Sequence, residues 1–145
     1  MKKIVLSLIF ILSISFQVNA QWFQQISGTE FDLYGVSFTD LNNGTAVGDG
    51  GTILRTTNGG TNWLPQTSGT NNVLYSVYFT DANNGWSVGN GGTILKTTNT
   101  GTNWVPQTSG TTSRLNSVSF TDANSGTAVG NGGKIIRTTN GGAIW

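Results

Sequence analysis

The chain has 145 residues, of which 36% are hydrophobic and 9% charged, with 21 glycines, no cysteine and no histidine. It therefore lacks the ligands of zinc fingers, iron–sulfur clusters and attached haem, the bases of Cys-His and Ser-His hydrolases, and any disulfide framework. We expect neither a metal nor a cofactor. Abundant aromatic and β-branched residues argue against disorder, and frequent glycine without a three-residue period indicates tight turns. The composition favours an all-β protein.

The first twenty residues have the pattern of a secretory signal peptide. Two lysines precede an apolar run of 13 residues, Ile4–Phe16, and Val18 and Ala20 place small residues before a cleavage site at Gln21. A transmembrane helix is the alternative, but it needs about 20 apolar residues. We therefore predict cleavage after Ala20, a secreted or periplasmic location, and no membrane span in the mature chain.

Removal of this leader changes the charge balance. The full sequence has a formal net charge of +1, but without the two leader lysines five basic residues stand against six acidic ones, which gives −1. A nearly neutral chain has no general electrostatic attraction for nucleic acid, so we expect no nucleic-acid partner. An exported chain without cysteine must be stabilised by packing and by sheet hydrogen bonds.

Residues 21–145 contain an internal repeat of 41 residues. Four of the five tryptophans recur at that spacing, and Leu33–Trp63 matches Leu74–Trp104 at 23 of 31 positions and Leu115–Trp145 at 22 of 31. An all-β unit of about 40 residues is the size of one four-stranded propeller blade. The predicted organisation is a signal peptide (1–20), an N-terminal outer strand and linker (21–32), and blade repeats at 33–73, 74–114 and 115–145, the last without its outer strand.

Each repeat is predicted to form four short antiparallel strands. In the first repeat these are Leu33–Phe38, Thr45–Gly48, Thr52–Thr56 and Trp63–Thr67. The first strand alternates, with Tyr34, Val36 and Phe38 on one face and the residues between them on the other. Asp49-Gly50 indicates a type I′ hairpin turn between the second and third strands.

Two further features predict where each strand lies in its blade. Pro65 lacks a backbone N–H, so it favours a fourth strand at the sheet edge. Small residues recur at one position of the first strand, as Gly35, Ser76 and Ser117. Such residues suit an innermost strand, which lines a crowded central channel.

The segment Thr56–Trp63 resembles an Asp-box, the bacterial neuraminidase repeat S/T-x-D/N-x-G-x-x-W. Its context, GTAVGDGGTILRTTNGGTNW, is similar to the repeats of the photosystem II stability and assembly factor family. The resemblance implies a β-propeller that, in photosynthetic organisms, binds a membrane-protein precursor without catalysing a reaction. Similar repeats occur in secreted proteins of non-photosynthetic bacteria. The box residues, expected to lock turns, are Thr56, Asn58, Gly60, Trp63, Thr97, Asn99, Gly101, Trp104, Thr138, Asn140, Gly142 and Trp145.

Three cations recur directly before the box threonines, as Arg55, Lys96 and Arg137. Residues at one repeat position occupy equivalent radii in successive blades, so these cations predict an arc that binds an anion or an acidic segment of a partner. The alternative is that each cation is solvated or pairs locally, since surface ion pairs contribute little to stability.

Two other motifs resemble ligand sites but are predicted to be turns. Asp40, Asp81 and Asp122 begin D-x-N-x-G segments like the start of a calcium loop, but they lack its bidentate glutamate. Residues 130–134, GNGGK, resemble a phosphate loop but lack the following Ser or Thr and open a strand.

Two classes of function remain. One is a non-enzymatic propeller that binds a protein or a surface glycan and acts as an assembly scaffold. The other is a carbohydrate-active, sialidase-like protein, which needs catalytic carboxylates outside the repeat pattern. Glu30 is the only glutamate, and with Asp32 it precedes the first repeat. We therefore favour the non-enzymatic class.

Three blades are too few for a closed propeller, which typically has about 4 to 8. We favour further blades in a longer polypeptide. The alternative is a homo-oligomer, in which residues 22–27 complete a blade in cis or in a symmetric partner.

Overall fold

The computed structural model describes residues 23–145, so the predicted leader and Trp22 lie outside the described residues. The described part forms three antiparallel sheets. The strands of the first sheet are β1 (Leu33–Phe38), β2 (Gly44–Gly48), β3 (Ile53–Thr56) and β4 (Leu64–Gln66). Those of the second are β5 (Leu74–Phe79), β6 (Gly85–Gly89), β7 (Ile94–Thr97) and β8 (Val105–Gln107). Those of the third are β9 (Leu115–Phe120), β10 (Gly126–Gly130) and β11 (Lys134–Thr138).

Within each sheet the strands pair in chain order, so each repeat folds as one antiparallel blade. The predicted all-β fold with propeller blades is confirmed, and the observed strand bounds in the first repeat lie within one residue of the predicted ones. Pro65 lies in the edge strand β4, opposite Leu54 of β3, where its missing N–H disrupts no further pairing.

The innermost strands β1, β5 and β9 contact one another in sequence, β1 with β5 and β5 with β9. At the first of these contacts Gly35 approaches the next blade closely. A Cβ atom at position 35 would lie 3.0 Å from the Cα of Ser76 and 3.1 Å from the Tyr75 carbonyl oxygen. The small residue at this position therefore allows adjacent inner strands to pack together, as a crowded axis requires.

Strict alternation along the inner strands was the wrong expectation. Leu74 and Val77, three residues apart, are both buried on one face of β5. The register of β5 against β6 shifts between Leu74 and Ser76, so Tyr75 forms a β-bulge that turns the following residues by one position. The equivalent shifts occur in β1 and β9.

The hairpin between β2 and β3 has the predicted turn type but is centred one residue later than predicted. The Thr52 N–H donates to the Asp49 carbonyl at 3.0 Å, and the central residues Gly50 and Gly51 have φ of 62° and 72°. A type I′ turn needs positive φ at both central positions. Two glycines meet that requirement without a steric cost, so Asp49 stays at the corner of the turn.

The hydrophobic core lies between the blades. Val47 and Ile53 of the first blade pack with Leu74, Val77 and their neighbours in the second. An equivalent cluster joins the second blade to the third, and its members include Trp86, Val88, Ile94, Leu115, Val118 and Phe120. Each blade therefore covers one face of the next, and apolar contact between blades stabilises the stack.

The outer strand predicted within residues 21–32 does not form among the described residues 23–32. This segment lies beside the first blade, where the Gln25 amide donates to the Gly59 carbonyl and accepts from the Trp63 indole N–H, both at 3.3 Å. The edge that such a strand would extend belongs to the third blade, so the segment has no strand to pair with at its observed position.

Candidate functional site

The Asp-box residues form the same hydrogen-bonded turn in all three blades. In the first, the Thr56 hydroxyl donates to the Asn58 side-chain oxygen at 3.0 Å and accepts from the Gly60 N–H at 2.9 Å. The Asn58 oxygen also accepts from the Asn62 N–H at 2.9 Å. The bonds of Thr97 with Asn99, and of Thr138 with Asn140, have the same pattern.

Because asparagine supplies the accepting oxygen, these turns close without a carboxylate. Each box tryptophan also meets a phenylalanine of its own blade edge to face, with centroids 5.8 to 6.0 Å apart. These pairs are Phe38 with Trp63, Phe79 with Trp104, and Phe120 with Trp145. The threonine hydroxyls and asparagine side-chain oxygens of the boxes are therefore used by the turns themselves, whereas the buried Trp145 indole N–H has no hydrogen-bond partner among the described residues.

The three in-phase cations occupy equivalent positions on β3, β7 and β11 but have different surroundings. Lys96 donates to the Gly141 carbonyl of the next blade at 2.8 Å and lies 5.2 Å from the centroid of the Trp86 ring. Arg55 is half-buried in a cleft of about 70 Å³ that it shares with Phe79 and Thr100 of the second blade. Arg137 is exposed. Lys96 thus joins two blades, while the side chains of Arg55 and Arg137 make no hydrogen bond or ion pair within residues 23–145.

Trp86 explains why the two interblade clefts differ. It occupies the position of Thr45 in the first blade, and it stacks on Phe120 of the third blade at 3.7 Å between centroids. Its indole N–H donates to the Gly141 carbonyl at 3.3 Å. Threonine at position 45 is too small to fill the same space, so the cleft beside Arg55 stays open. This role was not predicted, although Trp86 is the only tryptophan of the sequence outside the 41-residue spacing.

Apart from the row of three cations, another group of polar and aromatic side chains lies near the bulges of the inner strands. The rings of Tyr34 and Tyr75 are 5.4 Å apart, and the Arg114 guanidinium lies over Tyr75 at 4.1 Å. Arg114 donates through Nε to the Asn116 side-chain oxygen at 2.5 Å, and Tyr34 donates to Asp49 at 3.2 Å. We call Tyr34, Tyr75, Arg114 and Asn116 the inner-strand surface.

This surface was not predicted from the sequence, because its side chains come from repeat positions that vary. Arg114 occupies the position of Asp32 and Val73 in the earlier repeats, so no periodic charge marks it. The one sequence feature that could have indicated this surface is the arginine at position 114, where the earlier repeats have Asp32 and Val73. The pKa of Tyr34 is raised because its surroundings displace water from the hydroxyl and because Asp49 accepts its hydrogen bond.

The three D-x-N-x-G turns are closed by their own aspartates. Asp40 Oδ1 accepts from the N–H groups of Asn42 at 2.7 Å and Asn43 at 2.8 Å, and the Asn43 amide donates to Oδ2. These donors, the Asn43 side chain first, lower the pKa of Asp40. Asp81 and Asp122 make the same backbone bonds, and their pKa values are lowered as well. No group of three metal-ligating side chains occurs within residues 23–145.

Glu30 and Asp32, the carboxylates considered for catalysis, are both exposed. Neither side chain makes a hydrogen bond or ion pair to another described residue. No described helix is long and apolar enough to cross a membrane.

The three repeated antiparallel blades with Asp-box turns define a β-propeller repeat protein. The family model described as photosynthesis system II assembly factor YCF48 matches residues 14–105 and 65–145. The chain therefore belongs to this family, which confirms the resemblance seen in its repeats.

Solved structures agree with this assignment. YCF48 bound to a D1 peptide is 28% identical, with a TM-score of 0.70, and the match covers 79% of this chain and 39% of that one. YCF48 from Cyanidioschyzon merolae is 27% identical, with a TM-score of 0.71, over 81% and 39%. The chain thus spans about two fifths of the length of these relatives.

An ancestral GH74 enzyme is 20% identical, with a TM-score of 0.65, over 83% of this chain and 19% of the enzyme. At that identity the likeness shows the fold alone. A comparison with curated protein sequences finds no significant match.

Proposed function

We propose that this chain is a non-enzymatic propeller module that binds a segment of another protein, acting as an assembly scaffold. The proposal is supported by family membership and by the relative whose structure holds a D1 peptide. On this chain, the observation that carries it is the Arg114 guanidinium, which lies over Tyr75 at 4.1 Å. Its terminal nitrogens have no carboxylate partner among residues 23–145.

The chemistry of this surface suits an acidic peptide segment. A guanidinium presents a planar fork that can hold a carboxylate through two hydrogen bonds. Stacking on Tyr75 and the bond from Nε to Asn116 hold the fork in one orientation, which reduces the entropy lost on binding. The exposed ring of Tyr34 extends the surface with apolar area beside the charge.

The row formed by Arg55, Lys96 and Arg137 is the second place on this chain where an acidic segment could bind. We give it less weight, because Lys96 is already bonded to the Gly141 carbonyl. A surface glycan as ligand has no comparable contact to support it.

Binding is tested by titrating the labelled D1 peptide, and a copy with its carboxylates amidated, against the purified chain. We expect Arg114→Ala to weaken binding of the unmodified peptide about tenfold, the loss of one charge-assisted contact, and to flatten its salt dependence. Arg114→Lys should bind the peptide with an affinity between those of the wild type and of Arg114→Ala. Lys134→Ala, a cation outside both surfaces, is the matched control.

Charge reversal at Arg55 and Arg137 tests the other surface in the same assay. If it weakens binding while Arg114→Ala does not, the cation row holds the segment. Equal affinity in all variants, or equal binding of the amidated peptide, would reject an acidic-segment partner.

We also propose that the chain is exported, on the evidence of the leader pattern in residues 1–20. Expression in a bacterial host should deliver the protein to the periplasm or medium. Sequencing its N-terminus should then read from Gln21. A full-length chain retained in the cytoplasm or membrane would contradict this.

A further inference from the structure

The sequence contains six Asn-Gly pairs, at 43–44, 58–59, 84–85, 90–91, 131–132 and 140–141. Such a pair can lose ammonia, because glycine has no side chain to keep its backbone nitrogen away from the preceding asparagine. The reaction needs an asparagine side chain that is free to turn and a following N–H without a hydrogen-bond partner. The six pairs differ in how well they meet these two requirements.

Hydrogen bonds and burial protect four of the pairs. The Asn58 side-chain oxygen is used by its box turn, and the Gly59 N–H donates to the Asn42 carbonyl at 2.9 Å. The pair at 140–141 is bonded in the same way. In two more pairs the asparagine amide donates to an aspartate and the glycine is buried in a strand, at 43–44 and 84–85.

The other two pairs lie at the corners of the hairpin turns in the second and third blades. In the first and third blades the inner strand holds the corner side chain: the Tyr34 hydroxyl donates to Asp49 at 3.2 Å, and the Asn116 amide donates to Asn131 at 3.0 Å. Asn90, at the corner in the second blade, makes no side-chain hydrogen bond within residues 23–145. Of the three corner side chains in the described blades, only this one is free to turn.

The backbone at this corner also favours the reaction. Gly91 is exposed, and its N–H makes no hydrogen bond to another described residue. The Asn90 carbonyl accepts from the Thr93 N–H at 3.0 Å and from the Thr93 hydroxyl at 2.6 Å. These two donors polarise the peptide group that Asn90 shares with Gly91, so its N–H loses a proton more easily.

We propose that Asn90 is a site of spontaneous deamidation. The deprotonated Gly91 nitrogen attacks the Asn90 side-chain carbon Cγ and forms a C–N bond, which closes a succinimide ring. The bond from Cγ to Nδ2 breaks, and Nδ2 takes up a proton and leaves as ammonia. Water then opens the ring at either of its two carbonyls and gives aspartate or isoaspartate.

The first blade shows that this corner accepts an aspartate. Asp49 occupies the equivalent position, where its N–H donates to the Asp32 carbonyl and its own carbonyl accepts from the Thr52 N–H. Asn90 makes the same two backbone bonds, to Val73 and from Thr93. The aspartate product therefore fits the turn without a change in its backbone hydrogen bonds.

Deamidation would also add a negative charge beside the inner-strand surface. The turn at 90–92 contacts β9, the strand that Arg114 directly precedes. A carboxylate at this corner attracts the guanidinium and repels an acidic segment of a partner. This consequence rests on the proposed peptide binding, whereas the reaction itself does not.

Peptide mapping by mass spectrometry tests the reaction, on purified chain incubated in mildly alkaline buffer. We expect Asn90 to be converted first, Asn131 more slowly, and the four protected asparagines last. The same incubation in urea is the control: Asn90 and Asn131 share the sequence Gly-Asn-Gly-Gly, so the unfolded chain should convert both at similar rates. Absence of conversion at Asn90 in the folded chain, or conversion no faster than at Asn131 or Asn58, would overturn the proposal.

The variant Asn90→Asp supplies the aspartate product for the peptide titration. We expect it to bind the labelled D1 peptide up to about fivefold more weakly than the wild type, the effect of one nearby surface charge. Asn103→Asp adds the same charge in the box turn, which β7 separates from the hairpin turn, and should bind like the wild type. Equal affinity of Asn90→Asp and the wild type would overturn the effect on the peptide surface. A wild-type chain that binds no peptide would reject the proposed function, while the mapping result still decides the reaction.

Discussion

Thr100 adopts a backbone conformation that glycine has in the other two blades. Its φ is 61°, and it is the only non-glycine residue with positive φ within residues 23–145. Gly59 and Gly141 hold the equivalent positions with φ of 67°. The backbone nitrogen at this position donates to the carbonyl oxygen of an asparagine 17 residues earlier, and the N···O distance is 2.9 Å for both glycines and 3.3 Å for Thr100. A β-branched residue is therefore held in a left-handed conformation that its side chain disfavours.

Replacing this threonine should stabilise the protein. The left-handed conformation costs a side chain roughly 1–2 kcal/mol, and the extra freedom of glycine in the unfolded chain offsets part of that gain. We expect Thr100→Gly to raise the free energy of unfolding by about 0.5–1 kcal/mol, measured in urea. The reverse change, Gly59→Thr, should lower it by at least as much, because a Cβ there would also lie 3.1 Å from the Leu41 carbonyl. If both variants shifted stability in the same direction, backbone strain would not be the cause.

At the scale of the element, the strands could be predicted closely because their signals are local and repeated. Glycine and asparagine turns bound each strand, and three copies of one pattern average out the ambiguity of any single segment. The β-bulge at Tyr75 could not be predicted, since it depends on how β5 registers against β6. That bulge determines which side chains of the inner strand face the next blade.

The candidate sites were harder to predict than the strands, because function here depends on departures from the repeat. The 41-residue spacing places Arg55, Lys96 and Arg137 at equivalent positions, but it does not show that the Lys96 side chain donates to a carbonyl of the next blade. The Trp86 indole N–H donates to the same Gly141 carbonyl, and Lys96 lies over the Trp86 ring. A tryptophan occurs at this position in one blade only. Likewise the Arg114 and Tyr75 pair, which brings the residue just before β9 over a residue of β5, has no periodic signature.

At the scale of the molecule, the repeat makes one blade face the complement of the other. A single sequence pattern encodes both sides of each contact between the described blades. Burying Leu33, Val36 and Ile135 alone would contribute about 1.5–3 kcal/mol for each fully covered side chain. Among residues 23–145, Leu33, Val36 and Ile135 therefore expose apolar surface of the kind that adjacent blades bury at Leu74, Val77 and Ile53.

The stability of the protein in acid should depend on the aspartate turn that each blade repeats. Three of the six side-chain carboxylates, those of Asp40, Asp81 and Asp122, accept hydrogen bonds in these turns. Their pKa values in the folded protein are lowered. The unfolded chain therefore binds more protons between the ordinary aspartate pKa of about 4 and the lowered folded values. Their stabilising contribution is fully present above that window and is lost as the pH falls through it.

We expect the free energy of unfolding to decrease below about pH 4, and the triple variant D40N/D81N/D122N to show a shallower decrease. Asparagine keeps an oxygen acceptor for the turn N–H groups but takes up no proton, so the variant should bind up to three fewer protons on acid unfolding. Urea titrations from pH 7 to pH 2 measure this slope. Glu30→Gln is the matched control, because the Glu30 side chain makes no hydrogen bond within residues 23–145. An acid slope in the triple variant as steep as that of the wild type would show that these turns do not govern acid unfolding.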